Sequence, residues 1–137
     1  MKGIGVSKII GIIGSRRRDT NEDYKQVYNE FKKWYDVGDK ICSGGCPKGG
    51  DRFAEIIARK LGLTIENGGL IIHYPVKPRP GSPRWEWAQA NYSRNTLVAN
   101  DSDVIIACVG PDRKGGTEDT IKKFLKRKLD RSLMRIV

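Results

Sequence analysis

Apolar residues follow two alternating rhythms along the chain. Short unbroken runs sit within residues 8–13 (around Ile9, Ile10, Ile12 and Ile13), 39–42 (Ile41, Cys42), 69–74 (Leu70, Ile71, Ile72) and 103–109 (Val104 through Val109). Runs of this length without polar interruption read as strands buried on both faces. Between them the spacing becomes helical. Tyr24, Val27, Tyr28, Phe31, Trp34 and Tyr35 form one stripe, Phe53, Ile56, Ile57 and Leu61 a second, and Ile121, Phe124, Leu125 and Leu129 another. A further helix, broken or bent, is expected over 85–100, and residues 134–137 complete the chain as a short strand. Strand and helix alternation of this kind implies an α/β fold: a three-layer open parallel sheet with helices on both faces. Neither a repeat nor a linker divides it, so one domain is expected over residues 1–137.

The punctuation agrees. Thr20 and Asp23 have capping-box spacing, Gly38 and Gly62 end helices, and Pro75 closes the third strand. Residues 76–83 are rich in Pro and basic side chains and read as loop. Ser82 is placed to cap the next helix, with Pro83 at its first position.

Composition narrows the class. The chain has 137 residues, 38% hydrophobic and 31% charged, enough for one ordered core. No apolar run approaches a membrane span, and the stretch around Met1, Lys2 and Ile4 is too short and too polar for a signal peptide, so a cytoplasmic protein is expected. Its 3 cysteines, an odd number, argue against a disulfide framework. Cys42 and Cys46 are spaced C-x3-C, but His73 is the single histidine and a fourth ligand is missing, so no metal and no cofactor are expected. His73, at the end of an apolar run, is expected to be structural. The net charge of +10 fits nucleic acid, an anionic small molecule or a solubilising surface equally.

In an open parallel sheet ligands sit beyond the carboxyl ends of the strands. Three loops there carry candidate chemistry. The first is Gly14-Ser15-Arg16, followed by Arg17 and Arg18; Arg16, nearest the strand, is best placed to present its fork of donors to a phosphate. The second spans residues 43–51. Ser43 offers a hydroxyl, Gly44, Gly45 and Gly49 offer N–H groups, and Asp51 either caps the following helix or accepts hydrogen bonds from a ribose or base. The third spans residues 110–117, where Gly115, Gly116 and Thr117 open a helix. Glu118 and Asp119 follow and suit its positive end. Arg94 and Asn95 precede the fourth strand and can bracket a ligand from the helix side. Trp85 and Trp87 could stack on a base, though packing is the commoner role.

Taken together, Gly14-Ser15-Arg16, Ser43-Gly44-Gly45 through Gly49 to Asp51-Arg52, Arg94-Asn95 through Ser102-Asp103, and Gly115-Gly116-Thr117 resemble the SLOG superfamily, which includes the DprA and LOG (lysine decarboxylase-like) proteins. The YspA-like branch is the most similar. The motifs cover residues 8–125, each short, but fairly specific in their order and spacing. The resemblance implies a Rossmann-like fold and the binding or sensing of a nucleotide or nucleotide-derived ligand. LOG members are phosphoribohydrolases of nucleoside monophosphates and carry P-G-G-x-G-T-x-x-E. Here Lys114 precedes Gly115, and Thr120 stands where the Glu belongs. On that alternative Arg94 would orient the phosphate or ribose and Glu118 or Asp119 would supply the carboxylate. DprA members bind single-stranded DNA, and the basic tail with Lys122, Lys123, Lys126 and Arg127 would neutralise phosphates, unless it is simply a solvated helix face. A homodimer through Tyr24, Tyr28, Trp34 and Tyr35 is a further expectation.

Overall fold

The computed structural model describes residues 7–137; the residues considered for a signal peptide lie outside them. Five strands, β1 (Ile9–Gly14), β2 (Lys40–Ser43), β3 (Leu70–Ile72), β4 (Val104–Cys108) and β5 (Met134–Ile136), alternate with the helices α1 (Asn21–Trp34), α2 (Gly50–Lys60), α3 (Arg84–Asp101) and α4 (Gly116–Lys128). All neighbouring strands are parallel, in the order β3-β2-β1-β4-β5. The chain winds outward from β1 to β3, then crosses to β4 on the other side of β1. A parallel sheet with this order has its switch point between β1 and β4, where the loops leaving the two strands diverge.

Helices α1 and α2 cover one face, where Val27, Phe31, Phe53, Ala54 and Ile57 pack on Ile10, Ile12, Ile41 and Ile106. On the other face Val98, Ala99, Ile121 and Phe124, from α3 and α4, pack on Ile13, Cys42, Ile105 and Ala107. Strands buried on both faces explain the unbroken apolar runs. No helix among the described residues is long and apolar enough to cross a membrane.

Several boundaries differ from expectation. Helix α1 does start at a Thr20–Asp23 capping box, but it ends at Trp34, and Gly38 serves the following turn with φ +99°. In α2 the buried face is Phe53, Ala54, Ile57 and Ala58; Leu61 lies at the helix end, 39% exposed. Helix α3 is one unbroken helix, preceded by Pro83, and Ser82 makes no capping bond. Leu129 lies beyond α4 in the left-handed region, 85% exposed, and does not belong to the core stripe. The side chains of Tyr24, Tyr28, Trp34 and Tyr35 are partly buried against the core of their own chain. Lys60 lies over the rings of Tyr24 and Tyr28. Several large exposed apolar side chains lie on α3, namely Trp85, Trp87, Tyr92 and Leu97, with Tyr74 and Val76 in the segment before it.

Candidate functional site

The switch point opens into a cavity of about 470 Å³. Its walls are the loops that follow β1, β2 and β4, and one face of α3. Gly14, Ser15, Arg16, Gly44, Asp51, Arg94, Asn95, Gly115, Gly116 and Thr117, all expected from sequence, line it. Ser43, Gly45, Gly49, Glu118 and Asp119 do not.

The β2–α2 loop is organised by Asp51. Its carboxylate accepts from the N–H groups of Gly44 at 3.2 Å and Cys46 at 3.0 Å, both across the loop. Burial pushes this carboxyl above its ordinary value of 3.8, and the two N–H groups and nearby Arg94 offset that only in part. Asp51 therefore shapes the loop: each oxygen holds one N–H of the loop, a role that sequence did not suggest, and the residue also lines the cavity. Gly49 and Gly50 are packing residues. Gly49 has φ +75°, its N–H donates to Asp19 at 2.7 Å, and a Cβ there would strike the Ser15 carbonyl. A Cβ on Gly50 would enter the Ile13–Gly14 peptide. The start of α2 is thus pressed against the end of β1, and the Gly49 N–H is turned to Asp19. Gly45 also has φ +75°, and a Cβ would lie 2.6 Å from the Tyr74 ring. Ser43 is fully buried and its hydroxyl has no hydrogen-bond partner among the described residues.

The β4–α4 loop is different. Gly115 has φ +105°, and a Cβ there would meet nothing within 4 Å; on Gly116 it would meet only the Asn95 amide, at 3.6 Å. Neither glycine is required by packing, and the residues that begin α4, Gly115, Gly116 and Thr117, line the cavity.

Helix α3 supplies the third wall. Ala88, Asn91, Tyr92, Asn95 and Val98 follow helical spacing and face the cavity. Arg94 donates to the Gly44 carbonyl and, at 2.9 Å, to the Asn95 side-chain oxygen. Asn95 passes the connection on, donating to the Gly116 carbonyl at 3.3 Å and to Asp119 at 3.1 Å. The two residues tie the β2–α2 and β4–α4 loops to one helix, so the three walls are held in fixed relation.

Positive charge converges here. Arg16, Arg17, Arg94 and Lys114 line the cavity, whereas Asp51 is the one carboxylate among the lining residues. Arg17 is paired with Asp112, whose carboxyl is held below its usual range by that guanidinium. Arg18 is a structural tie: it donates to Asp23, Gln26 and the carbonyls of Val109 and Val137. Arg16 is exposed and has no ion-pair partner among the described residues.

The two carboxylates considered for hydrolysis lie outside the cavity. Glu118 is gripped by both nitrogens of Arg113, at 2.7 and 3.0 Å. Asp119 is held by Asn95 and by Lys123 at 2.9 Å. Thr120 does line the cavity, but its hydroxyl donates to the Gly116 carbonyl. Trp85 and Trp87 do not line it either. The basic tail is partly consumed within the fold: Lys123 bonds the Tyr92 carbonyl, Arg127 the carbonyls of Ala99 and Ser102, and Lys128 pairs with Asp103. Lys123 and Arg127 are therefore not part of a purely solvated face.

Sequence reasoning missed Lys114, Asn91 and Thr120 as cavity residues. Asn91 stands one helical turn before Asn95, and Lys114 directly precedes Gly115-Gly116; both spacings are visible in the chain.

No protein-family model matches this chain, and no curated protein matches it. Among solved structures it is similar to the molybdenum cofactor carrier protein MCP of Chlamydomonas reinhardtii, with 17% identity, a TM-score of 0.57, and coverage of 96% of this chain and 90% of that one. At that identity the likeness is one of fold, and it extends over nearly the whole length of both: a Rossmann-like α/β sheet.

Proposed function

We propose that this protein binds a phosphate-bearing nucleotide or nucleotide-derived ligand in the cavity between β1 and β4, as a sensor or carrier. The observation that carries this reading is the pairing of glycines that packing does not require with uncommitted charge. Gly115 and Gly116 leave open space at the start of α4, and Arg16 and Lys114 face the same volume. Glycine there permits close approach of backbone N–H groups to an anion, and the helix start favours negative charge. Tyr92, on the same wall and 53% exposed, offers a ring to a base or pterin-like plane. The SLOG resemblance supports the same ligand class. A carrier role, the one in the name of the similar structure, requires binding without a catalytic carboxylate.

The phosphoribohydrolase alternative has less support, because Glu118 and Asp119 lie outside the cavity and are engaged by Arg113, Asn95 and Lys123. It predicts release of free base from a nucleoside monophosphate. Single-stranded nucleic acid binding also loses support with the cations consumed by the fold; it predicts affinity that falls steeply with salt.

The test is a thermal-shift screen of nucleosides against their mono-, di- and triphosphates, with mass spectrometry of whatever co-purifies. Stabilisation by at least one phosphorylated compound and by no parent nucleoside is expected. Equal shifts with and without phosphate would remove the reading.

A further inference from the structure

A second cluster lies apart from the cavity, on the α3 side of the sheet near its β3 edge. Cys42, His73 and Asp101 each offer a ligand atom, and these atoms all lie within 4.8 Å of one another. None of the three lines the cavity. The sequence spacing sets Cys42 near Cys46, but Cys46 lines the cavity while Cys42 is buried in the core under α3. Folding instead brings Cys42 together with residues distant in the chain.

We propose that Cys42, His73 and Asp101 form a binding site for a single transition-metal dication of the zinc class, with water as its fourth ligand. Thiolate, imidazole and carboxylate are a borderline-soft donor set, which suits Zn²⁺ or Co²⁺ and not Mg²⁺ or Ca²⁺. Three protein ligands with one open position is an established zinc arrangement. Bond lengths of about 2.0–2.3 Å place tetrahedral ligand atoms roughly 3.3–3.8 Å apart. The present separations bracket that span: the His73 ring nitrogen and Asp101 oxygen are 2.6 Å apart, and the whole set fits within 4.8 Å. A metal would replace the His73–Asp101 hydrogen bond and part those two atoms by about an ångström.

The ligands are well anchored for this. Cys42 is a strand residue with no exposed surface, paired to Ile71 across the sheet. The His73 N–H donates to the Ser43 carbonyl at 2.9 Å, which fixes its backbone. Asp101 ends α3 beside Ser102, whose hydroxyl donates to the Val98 carbonyl at 2.7 Å. The Asp101 side chain is 43% exposed, so the metal has an entry path and the water a place to sit. Binding would displace the thiol proton to solvent, with no redox change.

Co²⁺ titration of the full chain tests this, read by the sulfur-to-metal charge-transfer band in the near ultraviolet. One equivalent per chain is expected, displaced by Zn²⁺. Because loss of a group that merely supports a ligand costs about 10–100-fold in affinity, loss of a ligand should cost at least about 100-fold in His73→Ala and remove the band in Cys42→Ala. His73 is only partly buried, so its variant carries the test even if Cys42→Ala fails to fold. A wild type without the band, a band of unchanged affinity in His73→Ala, or a band lost in Cys46→Ser and kept in Cys42→Ala would each overturn the proposal.

Discussion

Two glycine-bearing loops open helices on the same edge of the sheet, and they use glycine for different ends. In the β2–α2 loop the glycines are there for the fold. Gly50 lets α2 touch the Ile13–Gly14 peptide, Gly49 lets the chain pass the Ser15 carbonyl, and Asp51 fills the loop from beneath. In the β4–α4 loop Gly116 has ordinary φ and space where a side chain would go. A glycine that neither packing nor backbone geometry requires marks a place where something else comes close. The lesson is that glycine content alone does not identify a phosphate cradle; the surroundings of each missing Cβ do.

Substitution can break this contrast directly. Gly50→Ala should cost about 3 kcal/mol or more in urea unfolding, because the added methyl meets backbone that cannot move aside. Gly116→Ala should stay within about 1 kcal/mol of the wild type. Equal costs at the two positions would erase the distinction.

Asp51→Asn is expected to destabilise by about 1–3 kcal/mol, since one of two buried N–H groups loses its acceptor. It also has a pH signature. A carboxyl raised in the folded chain takes up its proton before the unfolded chain does. Relative to Asp51→Asn, the wild type should therefore gain stability as pH falls toward the ordinary value of 3.8, and hold its lower, constant level once both states are ionised. The difference between the two unfolding curves across acid pH measures this, and a slope of opposite sign would refute the burial argument.

Arg16→Ala should leave stability within about 0.5 kcal/mol of wild type but weaken a phosphorylated ligand about tenfold or more, because a charge-assisted bond is lost without any internal partner being orphaned. The smallest effect is expected for Asp112→Asn. Its pair with Arg17 is about half exposed and screened by water, so the urea unfolding midpoint should move little, and less again in high salt.

Much of the fold was legible because its strands are buried on both faces: Ile9 to Ile13 and Val104 to Cys108 leave no ambiguity of period. Helix α3 was the hardest to read. The face it turns to the cavity carries Ala88, Asn91 and Asn95, so its core contact shrinks to Asn95, Val98 and Ala99 and no apolar stripe forms. The same polar face that blurred the helix is part of the site. Motif spacing located Arg94, Asn95, Gly115 and Gly116, but it could not show that Glu118 belongs to Arg113 or that Asp51 belongs to its own loop. Those assignments depend on partners that only the folded chain brings into reach, as does the meeting of Cys42 with His73 across two strands.

The central claim is that the open space at Gly116 is where a ligand's phosphate sits. Calorimetric titration of wild type and Gly116→Asp tests it, using the phosphorylated nucleotide that gives the largest thermal shift. The account predicts that the variant keeps its melting temperature, since a carboxylate suits a helix start, and binds at least about 100-fold more weakly, because like charges brought together cost several kcal/mol. Undiminished affinity in a folded Gly116→Asp protein would contradict it.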